Sequence, residues 1–376
     1  MKKRGYDTMK EILQQPEVWD LTYNTLLRER DRLKAFIMSK GFGKDASIIF
    51  TGAGSSEYCA DVATSIYLKD GYSKARTFAT TDIVSTPEYC LSPEKRFMIS
   101  FARSGDSPES VSAYDIVRKY CPGSAHLIIT CNKDGLLAKT AASEDDLVIK
   151  LPPQSNDKSL AMTSSFSSML MAVILCKNLD NMEIDRKNFE DACKFGQAFF
   201  AEDIRLKIEE IAKKNIYRAV FLGSGALKGI ARECHLKLQE LTDGAVMCSY
   251  DSFMGLRHGP KAVIHDDTLV VYLLSDNPKT RQYEYDLIEQ VNAEHNPAAQ
   301  ILVSARGAEA KGRFDLIING DMEETNSGNE YIYVPYVIIG QLLGWYFSIR
   351  RGLDPDTPSV SGAISRVVNG VKSYEI

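Results

Sequence analysis

The chain lacks an excess of positive charge. Its 376 residues include 45 Lys and Arg against 50 Asp and Glu, for a formal net charge of −5. Proteins that hold nucleic acid by its phosphates need a basic surface, so DNA and RNA are not expected as main partners. The hydrophobic content of 44% and charged content of 25% are ordinary for a globular protein. At about 150 residues per domain, the length predicts two domains.

Closely spaced cysteines and an apolar leader are also absent. The eight cysteines form no CxxC pair and have no histidine partner at zinc-finger spacing. Most lie in apolar segments, where a reduced cysteine behaves as a small hydrophobic residue, so neither a disulfide framework nor structural zinc is expected. We likewise expect no other metal and no cofactor. The start MKKRGYDTMK is not followed by an apolar region, which predicts a cytoplasmic protein without a secretory signal.

One apolar run raises the question of a membrane span. Residues 331–349, YIYVPYVIIGQLLGWYFSI, carry no formal charge, and about 20 apolar residues cross a bilayer as a helix. Pro335, Gln341 and the tyrosines instead favour a buried core helix or a helix at a subunit interface. No membrane partner is therefore expected.

Short apolar, β-branched runs alternate with helical patterns, which is typical of parallel sheets built from βαβ units. Five runs lie between residues 47 and 152 and five between 218 and 320, and TGAG in the first half matches LGSG in the second. The spacing from Gly52 to Ser104 equals that from Gly223 to Ser275, 52 residues in each case. A long-period repeat indicates a duplicated unit. The sequence therefore predicts two α/β domains, each with a five-stranded parallel sheet flanked by helices.

These patterns predict three segments without a low-complexity linker. Residues 1–45 form an N-terminal helical segment, 46–195 the first domain, and 196–376 the second domain with a C-terminal helix and tail. The helices that connect and close the domains are predicted at residues 162–179, 186–214 and 331–349, before a tail at 354–370.

TGAGSSEY, residues 51–58, has the pattern of a strand, a glycine turn and the start of a helix. Glycines let the backbone turn tightly, and a helix N-terminus offers N–H groups to an anion. The pattern is not GxGxxG, because Ser55, Ser56 and Glu57 replace the later glycines, so it predicts no dinucleotide site. An ordinary turn between strand and helix is an equal alternative to an anion site.

SFARSGDSPES, residues 100–110, is a second place of this kind, after another predicted strand. Open α/β folds bind ligands at the carboxyl ends of their strands. Ser104, Gly105 and Ser107 can surround a phosphate with hydroxyls and amides, and Arg103 adds a positive charge. The alternative is a helix capped by Ser107 or Asp106. The neighbouring glycine turn favours the phosphate cradle.

Glu233, Lys237 and Glu240 lie at i, i+4 and i+7 in ARECHLKLQELTDG and share one helical face. A surface salt-bridge stripe is the usual explanation for such charges. The helix follows the second glycine turn directly, however, so its first turns point toward a ligand crevice. The spacing leaves both the structural and the catalytic role open.

GLRHGPKAVI, residues 255–264, places His258 before Gly259 and Pro260. Proline disfavours helical geometry in the residue before it, so His258 is predicted on a turn. Histidine titrates near neutral pH and can pass protons, although an isolated loop histidine is more often structural.

Together, TGAGSS, SFARSGDSPES, AMTSSFSSM, LKLQELTDG and LRHGPKAVI resemble the sugar isomerase (SIS) family of phosphosugar-binding domains, in order and across nearly the whole chain. RSGDSPES with LRHGPK is similar to the branch of galactosamine-6-phosphate deaminase/isomerases, also named tagatose-6-phosphate ketose/aldose isomerases. The resemblance implies two tandem SIS domains of flavodoxin-like αβα layering. It further implies a homodimer or homotetramer, with the ligand bound where the two copies and a neighbouring chain meet.

The isomerase domain of glucosamine-6-phosphate synthase is the relative from which site residues carry over. Its phosphate loop SQSGET matches residues 102–107, with Ala102 in place of a serine hydroxyl, whose lost attraction Arg103 could supply. Its KHGP motif matches residues 257–260, although the stretch before it is slightly longer here. The substrate-binding residues that the resemblance implies are Ser55, Ser56, Arg103, Ser104, Gly105, Ser107, Thr163 and Ser164.

The activity that the resemblance implies is a proton transfer on an amino sugar phosphate. His258, in its own chain or a neighbour's site, would open the ring, and Glu240 would move a proton from C2 to C1 through an enolamine. Lys237 would stabilise negative charge and Glu233 would orient the network. Galactosamine 6-phosphate would yield tagatose 6-phosphate and ammonia. The alternatives are a tagatose-6-phosphate isomerase, a sugar-phosphate amine deglycase and a non-catalytic phosphosugar sensor, against which the lack of a helix-turn-helix extension argues.

Overall fold

Two five-stranded parallel sheets form the frame of the protein, in a computed structural model that describes residues 4–309, 311–320, 322, 328–368 and 374. All ten strands predicted from the sequence are confirmed. Those of the first sheet are β1 (Ile48–Gly52), β2 (Ala75–Ala79), β3 (Phe97–Ala102), β4 (Ala125–Thr130) and β5 (Asp146–Lys150). Those of the second are β6 (Arg218–Gly223), β7 (Met247–Asp251), β8 (Thr268–Leu274), β9 (Ala299–Ser304) and β10 (Leu316–Asn319).

The two sheets have the same topology, which confirms the predicted duplication. The strand order is β2-β1-β3-β4-β5 in the first and β7-β6-β8-β9-β10 in the second. All residues of β1, β3, β4, β8 and β9 are buried. Central strands covered by helices on both faces have continuous apolar runs of this kind. Because all strands are parallel, each sheet collects its strand ends, and the loops that follow them, at one edge.

The chain divides into two compact units, one around each sheet. The β1–β5 unit consists of Glu17–Asp157, Ser164–Ile184 and Ile364–Ile376. The β6–β10 unit consists of Met1–Pro16, Lys158–Thr163 and Asp185–Ala363. The domain limits after residues 45 and 195 stay a prediction from sequence. Asn369 and Gly370, the last residues of the predicted tail, lie outside the described residues.

Helices connect the strands and extend each unit. The helices that end at or before Lys177 are α1 (Tyr6–Leu13), α2 (Gln15–Ser39), α3 (Ser55–Lys69), α4 (Thr80–Ser85), α5 (Pro87–Cys90), α6 (Pro108–Tyr120), α7 (Leu136–Thr140) and α8 (Ser164–Lys177). The later ones are α9 (Arg186–Ala198), α10 (Glu202–Ala212), α11 (Ala226–Leu241), α12 (Phe253–Leu256), α13 (Pro278–Glu294) and α14 (Val337–Arg350). Short 3₁₀-helices span Pro153–Ser155, Pro260–Val263 and Glu330–Tyr336.

The long apolar run is buried in the protein. It forms a 3₁₀-helix up to Tyr336 and then α14, rather than the single helix predicted, and Pro335 lies inside the 3₁₀ part. Over the segment Glu330–Arg350, 83% of the most apolar stretch is buried inside the fold. That burial is typical of a core helix, and α14 packs against α11.

His126 is a titratable group inside the first sheet. It lies in β4, is fully buried, and neither ring nitrogen has a hydrogen-bond partner among the described residues. Burial lowers its pKa from 6.5 to about 4, and the nearby charges of Asp146, Arg118 and Asp145 have smaller effects. The ring lies 4.7 Å from that of Tyr114, centroid to centroid. His126 is therefore a neutral core residue, which binds a proton readily only when the chain unfolds.

We expect His126 to make the stability of the protein depend on pH. The unfolded chain binds the proton first, so stability is lost as the pH falls from 6.5 toward about 4. For this pKa difference, the free energy of unfolding is about 2 kcal/mol smaller at pH 5 than at pH 7. His126→Phe keeps an aromatic ring in place but cannot bind the proton. Between pH 7 and pH 5, its free energy of unfolding, measured with urea, should therefore fall by about 2 kcal/mol less than that of the wild type. Equal dependences in the two proteins would contradict the assignment.

Candidate functional site

The same glycine turn starts the first helix after β1 and after β6. Gly54 has φ 56° and ψ −127°, and Gly225 has φ 58° and ψ −127°, a backbone that other residues rarely adopt. A Cβ on Gly52 would lie 2.5 Å from the Ser56 carbonyl carbon, and one on Gly223 would lie 2.2 Å from the Leu227 carbonyl oxygen. The missing side chains therefore let each helix start directly against its strand.

The side chains on the two turns differ in chemistry although the backbones match. In the β1–β5 unit, Ser55 and Ser56 are the first residues of α3 and are buried. In the β6–β10 unit, the corresponding residues are Ala226 and Leu227. Of the two units, only the β1–β5 unit therefore has a pair of hydroxyls at the N-terminus of this helix, where an anion binds best.

The predicted phosphate loop follows β3 at the same edge. Ser107 is at the N-cap position of α6, but its side chain makes no capping hydrogen bond. The carboxylate of Asp106 accepts a hydrogen bond from the Leu136 N–H at 3.0 Å, at the start of α7. Gly105 has φ +69°, and Ser104 is half-buried. The alternative of a helix capped by Ser107 or Asp106 thus fails for α6, and the Ser107 hydroxyl remains suited to a ligand.

Arg103 and Ser164 are held by contacts within the β1–β5 unit. The Arg103 side chain is buried, and its Nη2 donates a hydrogen bond to the backbone carbonyl of Arg366. Ser164 begins α8, where Asp157 accepts hydrogen bonds from the N–H groups of Ser164 and Ser165 at 3.0 and 2.9 Å. The remaining predicted substrate residue, Thr163, is fully buried and belongs to the β6–β10 unit.

In the β6–β10 unit, the place that corresponds to the phosphate loop contains an internal carboxylate. Glu284 of α13 accepts a hydrogen bond from the Ser275 N–H at 2.9 Å. Burial raises the pKa of Glu284, although this hydrogen bond opposes the rise. Ser104 and Ser275 therefore occupy corresponding positions in the two units. In the second unit, however, the Ser275 N–H that could bind an anion already donates to Glu284.

The charged face predicted on α11 is a buried ion-pair network and not a surface stripe. The Lys237 Nζ lies 3.2 Å from Glu233 Oε1 and 2.6 Å from Glu240 Oε2. The side chains of Glu233 and Lys237 are fully buried, whereas that of Glu240 is 21% exposed. Burial by itself would lower the pKa of Lys237, but the two carboxylates outweigh it and raise that pKa. Lys237 is therefore a buried cation beside one accessible carboxylate.

Two glycines of α14 allow the close packing that buries this network. A Cβ on Gly344 would lie 2.8 Å from the Lys237 carbonyl oxygen, and one on Gly340 would lie 2.5 Å from the Cys234 Cα. Backbones of two helices approach this closely only where the facing residues are small. The sequence GQLLG, predicted to lie in a buried core helix or at a subunit interface, thus lets α14 pack closely against α11 at Cys234 and Lys237.

His258 lies on a turn, as predicted, and its side chain is exposed. Its N–H donates to the Gly255 carbonyl at 3.0 Å, and Gly259, with φ +115°, follows it. Within the described residues, no hydrogen bond or ion pair joins the His258 ring to Glu240. Among those same residues, no group of three His, Cys, Asp or Glu side chains is arranged to hold a metal ion. The structure therefore brings Glu233, Lys237 and Glu240 together and leaves the His258 ring directed to solvent.

Three further residues contribute to these sites without having been found from the sequence. Asp157 and Glu284 accept hydrogen bonds from backbone N–H groups 7 to 9 residues away in the chain, whereas Arg366 contacts Asp157 from 209 residues further along. Neither periodicity nor a short motif marks them, because each acts through a contact that only the folded chain creates.

Comparison with known proteins agrees with this architecture. No family model matches the chain. The D-galactosamine-6-phosphate deaminase AgaS from Shewanella sp. strain ANA-3 is 34% identical over 375 residues, covering 98% of this chain and 91% of that protein. A crystal structure from Clostridium novyi NT, assigned as a tagatose-6-phosphate ketose/aldose isomerase, matches with a TM-score of 0.93 and 35% identity, covering 99% of this chain and 96% of that one.

A more distant structure matches in fold alone. The C-terminal domain of glucosamine-fructose-6-phosphate aminotransferase from Francisella tularensis has a TM-score of 0.77 at 18% identity, covering 94% of this chain and 98% of that domain. The paired sheets with their glycine turns define an enzyme of the SIS phosphosugar isomerase class, as the sequence motifs predicted. Within that class, the chain belongs to the family of the AgaS deaminases and tagatose-6-phosphate ketose/aldose isomerases.

Replacing Lys237 by methionine should destabilise the protein by about 3–5 kcal/mol, because the Glu233 charge is left buried without its cation. The double variant Glu233→Gln/Lys237→Met should regain most of this loss. Urea unfolding measures both. The control is Lys213→Met. Lys213 directly follows α10, and its Nζ lies 3.0 Å from Glu209 Oε1 in an exposed ion pair, so this change should alter stability by less than about 1 kcal/mol. A similar loss in Lys213→Met and Lys237→Met would contradict the buried network.

Proposed function

We propose that the enzyme converts galactosamine 6-phosphate and water into tagatose 6-phosphate and ammonia. The 34% identity to a deaminase of this name supports the substrate. The observation that carries the chemistry is the 2.6 Å contact of Glu240 with the buried cation Lys237. Of the three charged groups on this face of α11, Glu240 alone is partly exposed, so it is the carboxylate that a substrate can reach.

The phosphate group is bound by the β1–β5 unit in this proposal. Ser55 and Ser56 place two hydroxyls at the start of α3, and the loop after β3 adds those of Ser104 and Ser107. Helix N-termini favour anions through their free N–H groups and dipole. The residues proposed to bind the substrate are Ser55, Ser56, Arg103, Ser104, Gly105, Ser107, Thr163 and Ser164.

Glu240 is the base in the proposed reaction. It takes the proton from C2 of the open-chain amino sugar, the electron pair forms the C1–C2 double bond of an enolamine, and the π electrons of the C1 carbonyl move to O1, which takes up a proton from water. Return of the proton to C1 yields an imine at C2, to which water adds. Ammonia then leaves as the C–N bond breaks and the ketose carbonyl forms. Lys237, held as a cation, stabilises the negative charge that develops during proton removal, and Glu233 orients Lys237.

His258 opens the sugar ring in this proposal. Its exposed position on the turn after α12 and the absence of a hydrogen bond to Glu240 among the described residues support a role in the site of a neighbouring chain. The proposal therefore includes a homodimer or homotetramer with shared active sites. In this proposal the enzyme works in the cytoplasm, where amino sugar phosphates are catabolised.

A tagatose-6-phosphate ketose/aldose isomerase is the second candidate function. It is favoured by the assignment of the 35% identical Clostridium novyi structure. The two activities share the phosphate cradle, ring opening and the proton transfer by Glu240. They differ in the group on C2, an amine that is hydrolysed or a hydroxyl that remains.

Glu240→Gln should lower kcat by about 10²- to 10⁴-fold, because the amide cannot accept the C2 proton. KM for the phosphosugar should stay within about threefold. Ser104→Ala is the matched variant, in which KM should rise while kcat changes little, since a phosphate contact is lost. Steady-state kinetics separates the two patterns. Near-normal turnover in Glu240→Gln would remove this residue from the role of base.

Purified enzyme should release ammonia and ketose phosphate from galactosamine 6-phosphate in equal amounts. Glucosamine 6-phosphate, which differs at C4, is the control substrate, and tagatose 6-phosphate with galactose 6-phosphate tests the second candidate. Both products are followed in the same reaction by enzymatic assays. Interconversion of the two hexose phosphates without ammonia release from the amino sugar would establish the isomerase instead.

A further inference from the structure

Arg366 connects two loops that carry proposed substrate-binding residues. Its Nε and Nη2 donate to the Asp157 carbonyl at 3.0 and 2.6 Å, and Nη2 also donates to Asn156 Oδ1 at 2.8 Å. Its own carbonyl accepts the hydrogen bond from Arg103. Residues 364–376 belong to the β1–β5 unit together with these partners. A single residue close to the C-terminus thus contacts the loop after β3 and the segment after β5.

Asp157 extends this connection to the start of α8. One carboxylate oxygen accepts the Ser164 N–H at 3.0 Å, and the other accepts the N–H and hydroxyl of Ser165 at 2.9 and 2.5 Å. Asp157 is fully buried. Its side chain therefore fixes the N-terminus of α8, while its backbone carbonyl is fixed by Arg366.

We propose that Arg366 is a positioning residue that holds Arg103 and the N-terminus of α8 in the arrangement that binds the substrate phosphate. The inference rests on the proposed function, because it assigns that arrangement to a phosphosugar. Arg366 does not touch the substrate itself. It acts through Arg103 on one side and through Asp157 and Ser164 on the other.

The bond from Arg103 to a carbonyl suits this role electrostatically. A backbone carbonyl that accepts a hydrogen bond from a guanidinium fixes the direction of that group. Removing the Arg366 side chain keeps the carbonyl in the chain but releases the anchor that holds it in place. Arg103 then loses its fixed orientation, and the phosphate loses part of its attraction.

Kinetics of Arg366→Ala tests the positioning of substrate. KM for galactosamine 6-phosphate should rise about tenfold, which is the change in affinity expected for the loss of one hydrogen bond to a charged group. The kcat should stay within about twofold. Because Arg366 acts partly through Arg103, the effects of Arg103→Ala and Arg366→Ala on KM should be less than additive in the double variant. Arg366→Lys should recover only part of the loss, since it lacks the planar fork. Ser365→Ala, at an exposed neighbour whose hydroxyl donates to the Val367 carbonyl at 2.7 Å, should match the wild type.

A second measurement needs no substrate. Cys131, at the end of β4, is 5% exposed, and Arg103, Arg366 and Asp157 are within electrostatic range of its thiol. Loosening these loops in Arg366→Ala should raise the rate of Cys131 alkylation by iodoacetamide at least fivefold, as followed by peptide mass spectrometry. Cys59 in α3, which is fully buried, is the internal control and should keep its rate.

The two measurements separate this inference from the proposed function. If wild-type enzyme turns over neither the amino sugar phosphate nor the hexose phosphates, the proposed function fails, and the alkylation rate alone decides whether Arg366 holds the loops. An unchanged Cys131 rate overturns the inference. A faster Cys131 rate with an unchanged KM in an active enzyme also overturns it, because Arg366 would then be only structural. Additive effects on KM in the double variant would contradict action through Arg103.

Discussion

The protein depends on a backbone turn that only glycine permits, used once in each unit. At Gly54 and Gly225 the chain takes the same positive φ, and at Gly52 and Gly223 there is no room for a Cβ. Each helix therefore starts directly at the end of its first strand, with its free N–H groups at the sheet edge. Since the strands are parallel, the loops after the neighbouring strands reach the same edge. The turn thus creates two edges at which an anion could bind.

The duplicated backbone carries different chemistry in its two copies. The first has hydroxyls on the helix start, and the side chain of Ser107 makes no capping bond. In the second, Ala226 replaces a serine, and Glu284 accepts the Ser275 N–H that an anion would otherwise bind. A carboxylate in that position repels a phosphate as well as occupying its donors. In the proposed function, the first copy therefore binds the phosphate, and α11 of the second copy carries the ionised groups.

Local patterns made the strands, the turns and the shared face of Glu233, Lys237 and Glu240 predictable. Strand runs and i, i+4, i+7 spacing are properties of a few consecutive residues, and parallel topology follows from their alternation. The burial of Lys237 was not predictable, because it depends on packing with segments distant in the sequence, such as α14, whose Gly344 lies against the Lys237 carbonyl. The contacts of Arg366 were missed for the same reason. An exposed salt bridge and a buried ion-pair network have the same local sequence, and only the packing distinguishes them.

The burial of Lys237 also determines which chemistry it can perform. A lysine that forms an imine with a sugar carbonyl must first lose its proton, and such lysines have a lowered pKa. Burial acts in that direction here, but Glu233 and Glu240 outweigh it and raise the pKa of Lys237. Its amine is therefore protonated and has no lone pair for attack on carbon. What remains is a buried positive charge 2.6 Å from Glu240, which in the proposed reaction favours a transition state with negative charge on the substrate. The two carboxylates around this buried lysine therefore support proton transfer rather than covalent catalysis as its part in the proposed mechanism.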